Sequence, residues 1–143
     1  MVRSSSRRRT AVRAAALVAA LTALAAAGCF GGPEQRRNAD GVSVGVGTDP
    51  SPAELGEQHF TFYVEADGKS VADADVRFRM HMPGMPMSTD DAWIPAESRG
   101  GGRYAGQGDF SMGGTWEVVV AVRRPGHDPV TVAFPFEIKW ELK

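Results

Sequence analysis

Cysteine is almost missing from this chain: Cys29 is the only one in 143 residues. A single thiol excludes an internal disulfide, a Cys-x-x-Cys redox pair and a zinc cluster built from cysteines. Helical periodicity is missing as well, because no segment after residue 29 repeats apolar residues at helical spacing over a useful length. No Gly-x-Ser-x-Gly is present, and Ser88 and Ser111 stand in no nucleophile motif. The glycine-rich stretch 100–108 does not lead from a strand into a helix, as a phosphate loop must. Asp90 and Asp91 are adjacent loop residues whose carboxylates point apart. No catalytic residue and no organic cofactor is expected, and the chain does not read as an enzyme.

A basic surface is also lacking. The chain carries 16 Lys+Arg against 17 Asp+Glu, but five of the arginines and none of the acids lie in residues 1–28. The remainder holds 11 bases against 17 acids, a net charge of −6. Such a domain argues against nucleic acid and anionic membrane surfaces as partners. It suits docking to a cationic patch or attraction of metal cations, and equally a surface that is only solubilising.

What the first 40 residues contain is an export pattern. Arg3, Arg7, Arg8, Arg9 and Arg13 precede an apolar stretch at 14–27 that is mostly alanine. This stretch is shorter than the roughly 20 apolar residues of a membrane span, so cleavage is expected. Ala26-Ala27-Gly28-Cys29 resembles a bacterial lipobox, in which the cysteine is lipidated and becomes the mature N-terminus. The pattern prefers Leu three residues before the cysteine; here Ala26 stands there and Leu24 lies two further back. An ordinary secreted protein with an incidental cysteine is the alternative. Thr10 and Ala11 replace the bulky apolar pair of a twin-arginine signal, so the export route stays open. The expected division is a lipoprotein signal at 1–28, a lipidated cysteine and flexible tether at 29–40, and one domain at 41–143.

Strand patterning dominates that domain. Residues 41–47 alternate with period two and suit a short edge strand, whereas 48–56 reads as a loop. Phe60, Phe62 and Val64 form one apolar face before the hairpin dipeptide Asp67-Gly68. Val76, Phe78, Met80 and Met82 form the next, with Arg77, Arg79 and His81 outward. Trp93-Ile94 marks a short strand, and Tyr104, Phe110 and Met112 continue a period-two register up to Gly113-Gly114. A strand from Trp116 to Val122 follows, then a turn at 125–128. The last strand alternates from Val130 through Val132, Phe134, Phe136, Ile138 and Trp140 to Leu142. About seven short strands at spacings of roughly 8–12 residues indicate an all-β, immunoglobulin-like antiparallel sandwich. Its expected core is Phe60, Phe62, Val64, Val76, Phe78, Tyr104, Trp116, Val118, Val120, Phe134, Phe136 and Ile138.

Four of the six methionines fall in Met80-His81-Met82-Pro83-Gly84-Met85-Pro86-Met87. A buried strand would use stiffer Val, Ile and Leu, and the prolines and glycine interrupt a regular strand. Thioether sulfur packs, oxidises or binds soft metal ions, above all Cu(I), and it carries no proton to displace. Met82, Met85 and Met87 are therefore candidate ligands. Met112, before its own Gly-Gly turn, can face them from another strand end, and His81 is a possible fourth or alternative ligand. Met80 reads as core filler. The competing interpretation is a methionine rim that packs without an ion. His59 opens a strand and His127 sits in a turn; both read as solvated.

The stretch 76–122 resembles a known family. Its order is His81-Met82-Pro83-Gly84-Met85-Pro86-Met87, then Gly102-Arg103-Tyr104-Ala105-Gly106, then Phe110-Ser111-Met112-Gly113-Gly114-Thr115-Trp116 running into valines. This order is similar to the YtkA-like domain and the related FixH-like proteins, small exported immunoglobulin-like modules. The resemblance places Met82, Met85 and Met87 in the family's methionine segment and Met112 at its pre-glycine position. It makes Tyr104 and Trp116 structural. It implies copper handling around respiratory oxidase assembly, with a copper-receiving oxidase subunit or a copper transporter as partner. The expected protein is thus a membrane-tethered, extracytoplasmic Cu(I) chaperone or scavenger. The alternative is a metal-free interaction module, such as an accessory subunit of an export or respiratory complex.

Overall fold

The structure is a computed structural model that describes residues 32–85 and 92–140. The described residues form nine strands and no helix. These are β1 (Gln35–Ala39), β2 (Val42–Asp49), β3 (Gly56–Ala66), β4 (Lys69–Ser70), β5 (Asp75–His81), β6 (Ile94–Gly100), β7 (Arg103–Phe110), β8 (Gly114–Arg123) and β9 (Val130–Ile138). All pairings are antiparallel, in the order β1-β2-β3-β7-β6-β5-β8-β9, with the short β4 beside β3. β6 pairs with β7 on one side and β5 on the other, so the sheet folds over there into two facing layers. Gln35 Nε2 donates to the carbonyl of Pro135 at 2.7 Å, which brings β1 beside β9 and almost closes the sandwich.

Alternating side chains make the core. β9 reads as strict inward and outward alternation, and β3 does so from Gln58 to Val64. Phe60 and Phe62 of β3 meet Phe78 of β5 at centroid separations of 5.3 and 5.0 Å. Phe110 packs on Trp116 at 5.4 Å and on Phe136 at 5.8 Å, tying the layers at one end. Each such ring or valine contributes about 1.5–3 kcal/mol on burial. Every residue expected in the core is buried.

Three expectations are corrected. Residues 35–39, assigned to the flexible tether, form β1, joined to β2 by a hairpin at Asp40-Gly41. Both turn residues have positive φ, 49° and 76°, as a two-residue hairpin of this hand requires. The polar sequence Gln-Arg-Arg-Asn-Ala has no apolar face, because its outer side meets water. As a consequence β2 is not an edge strand, and its Val42, Val44 and Val46 are fully buried. Finally, the last strand stops at Ile138, and Trp140 is 70% exposed instead of continuing the inward row. Leu142 lies outside the described residues.

Candidate metal site at the methionine pole

Strand direction gathers the candidate residues at one end of the sandwich. The start of β3, the end of β7, the end of β5 and the start of β8 all meet there, through the pairs Gly56 with Phe110 and His81 with Glu117. β5 then runs straight into Met82-Pro83-Gly84-Met85. The Met85 amide donates to the Met82 carbonyl at 3.2 Å, closing a four-residue turn. Proline at its second position and Gly84 at φ 83° in its third are what a type II turn demands. The closed turn holds the two methionine Cα atoms within about 7 Å of each other.

The two sulfur-bearing side chains leave that turn differently. Met82 is buried at 8% exposure, whereas Met85 is 52% exposed. The Met82 methyl packs against Gly114, where a Cβ would lie only 2.7 Å from it. Gly114 follows Met112 by two residues, so Met82 and Met112 come to the same turn from different strands. Met112 is half-buried against the core. Its carbonyl accepts a hydrogen bond from the Trp116 indole at 2.9 Å, which fixes the backbone at this position. Met80 lies one layer deeper, with its sulfur 2.4 Å from where a Gly108 Cβ would stand. Gly108 thus leaves the space that this thioether fills. Met87 lies outside the described residues.

His81 does not join the thioethers. It projects from the opposite face of β5, and its Nε2 sits 3.6 Å from Glu117 Oε1 across the strand pair. His59 is exposed beside Glu57 at 3.8 Å, and His127 is exposed on a cleft at the other pole, which Lys69 and Arg124 also line. Among the described residues no three His, Cys, Asp or Glu side chains cluster as metal ligands. The soft donors of this end are its methionines.

Gln58 is a residue that sequence reasoning missed. It is fully buried, and its Nε2 donates to the Glu54 carbonyl at 2.9 Å. Its Oε1 accepts no hydrogen bond from the described residues. In register it faces Gly108, the glycine under Met80. The period-two face of β3 extended back from Phe60 would have found it. Tyr104 is structural, as expected: its hydroxyl donates to the Val71 carbonyl at 2.7 Å and accepts from the Ala74 amide at 3.1 Å.

Comparison with solved structures agrees with this architecture. The chain is similar to a DUF4426 family protein from Pseudomonas aeruginosa PAO1, with a TM-score of 0.54 and 17% identity, covering 76% of this chain and all of that one. It is also similar to the PmoD soluble domain from Methylocystis sp. ATCC 49242 (Rockwell), with a TM-score of 0.50 and 18% identity over 73% of this chain and 96% of that one. At such identities the likeness is one of fold. No curated protein matches the chain in sequence. The sequence profile of the YtkA-like family matches residues 36–121, which span β1 to most of β8 and include the methionine turn, Tyr104, Met112 and Trp116, and on that match the chain belongs to the YtkA-like family.

Proposed function

We propose that this protein is an exported, lipid-anchored copper-binding protein that holds Cu(I) at the methionine pole and acts as a chaperone or scavenger outside the cytoplasmic membrane. The observation that carries this reading is the closed turn from Met82 to Met85, with Met82 seated beside the Met112–Gly114 corner. Met82, Met85 and Met112 are the ligands it supports, and Met87 belongs to the same segment in sequence. Thioethers favour the soft, reduced ion and leave hard cations alone. Half-exposed Met85 gives a route for the ion to arrive and leave, while buried Met82 gives the site its fixed part. His81, turned toward Glu117 on the outer face, is at most a residue met on transfer. A copper-receiving oxidase subunit or a copper transporter is the recipient that the YtkA-like and FixH-like resemblance suggests.

The test is a competition titration of the mature protein with Cu(I) against a chelator of known affinity. One Cu(I) per chain is expected, with affinity lost in the variant carrying M82L, M85L and M112L. Equal affinity in the variant would return the methionines to packing and favour the metal-free interaction module.

A further inference from the structure

Gln58 is the one buried polar residue among those described, and half of its amide is unaccounted for. Its Nε2 donates to the Glu54 carbonyl at 2.9 Å, in the loop that precedes β3. The amide is planar, so that bond leaves Oε1 directed away from the loop, among the core side chains. There Oε1 accepts no hydrogen bond from the described residues. A sealed amide oxygen without a donor is costly, and in a native protein it calls for a partner such as an ion or a water.

The layers show what surrounds it. The Phe78 ring lies almost equally close to Phe60 and Phe62, at 5.3 and 5.0 Å, so the facing side chains of β5 and β3 are staggered by one residue. β3 starts at the methionine pole, and β5 runs toward it. Two residues nearer the pole, Met80 therefore falls between Phe60 and Gln58, and Met82 between Gln58 and the start of β3. The glycines of β7 agree with this stagger. Gly106, paired with Phe60, lies under the Phe78 ring, while Gly108, paired with Gln58, lies under both the Met80 sulfur and the Phe60 ring.

The Gln58 oxygen and the sulfurs of Met80 and Met82 all present lone pairs and no hydrogen. Phe60 and Gly108, which complete this wall, bring no side-chain donor either. A cation entering from the pole is what satisfies such a set, and an amide oxygen serves copper as a weak ligand beside stronger ones. We infer that Gln58 Oε1 is a further ligand of the copper ion held by Met82, reaching it from inside the sandwich while Met85 and Met112 hold it from the rim. Met80 then keeps the amide in place by filling the space over Gly108. The inference rests on the copper reading of the methionine pole and adds to it a buried, uncharged oxygen donor.

Two substitutions separate a ligand from a structural amide. Q58L and Q58M keep roughly the parent volume and both lose the bond to Glu54, but only Q58M retains a donor atom for a soft ion. In chelator competition on the purified protein, Cu(I) affinity is expected to fall on the order of tenfold or more in Q58L. In Q58M it should hold or rise. Equal affinity in Q58L and the parent overturns the inference. So does an equal loss in both variants, which would trace the effect to the Glu54 bond. A second measurement needs no variant: silver(I), a soft ion that does not change oxidation state, is titrated into the parent and followed by NMR. The side-chain amide signals of Gln58 are expected to shift together with the Met82 methyl signal. A Met82 shift with an unmoved Gln58 amide overturns the inference and gives the oxygen to a buried water. A parent that binds neither ion sinks the proposed function along with the inference, an outcome distinct from a parent that binds while Gln58 stays silent.

Discussion

Met82 is the one buried methionine among the described residues, and it joins the packing of the core to the chemistry of the pole. Leucine in its place keeps volume and hydrophobicity, so M82L should cost less than about 1.5 kcal/mol in a denaturant melt. Cu(I) affinity should fall by on the order of tenfold or more, a difference of ~1.4 kcal/mol or greater. Unequal effects of that kind separate a ligand from a filler. Gly108 supplies the complementary test. A methyl group there would stand 2.4 Å from the Met80 sulfur and 3.2 Å from the Phe60 ring, so G108A should destabilise by about 1–3 kcal/mol through overpacking. A melt unchanged by G108A would mean that Met80 moves aside freely. At this scale the sequence was legible where chemistry is local. The Met-Pro-Gly-Met turn announces itself through two residues with restricted or unusual φ. Gln58 was not legible, because a lone polar residue on an apolar face is visible only once the strand is known to begin before it.

Among the elements, the loop between β4 and β5 hangs on Tyr104, whose hydroxyl bonds both Val71 and Ala74. Y104F leaves a carbonyl and an amide without this partner. A loss of about 1–3 kcal/mol is expected, with faster hydrogen exchange at Ala74 as the local readout. Strand β1 has a different role. Its five residues bury little of their own, but they pair with β2 from Val42 to Val46, the stretch that carries its buried valines. Beginning the chain at residue 41 would strip that partner and leave an exposed apolar edge, which templates association. The 41–143 fragment should aggregate in light scattering where 33–143 stays monomeric; equal behaviour would show β1 to be dispensable. The central strands were legible because one face of each is wet and the other dry, which imprints period two. β1 carries charged and amide side chains on most positions, so it shows no period two, and the Asp40-Gly41 dipeptide that turns it into β2 was passed over as the end of a tether. Trp140 was misread for the converse reason: its phase fits β9, yet the strand ends two residues earlier and the indole covers Gly113.

The molecule as a whole has two unlike ends. One carries the methionine turn and the exposed Trp140, which lies over Gly113; the other carries the polar cleft around Lys69, Arg124 and His127. Soft donors gathered at one pole of an acidic, cysteine-poor domain are a coherent arrangement for the proposed handling of a soft ion. Thioethers regain no proton in mild acid, so Cu(I) affinity should stay level from about pH 7 to 5. A steep decline over that interval, measured by the same chelator competition, would mean that imidazole ligates after all. The most direct measurement of the central claim is X-ray absorption at the copper edge of the Cu(I)-loaded protein. Sulfur scatterers are expected to dominate the first shell and to be lost in the M82L/M85L/M112L variant. A shell of nitrogen and oxygen alone, or one unchanged by those substitutions, would contradict it.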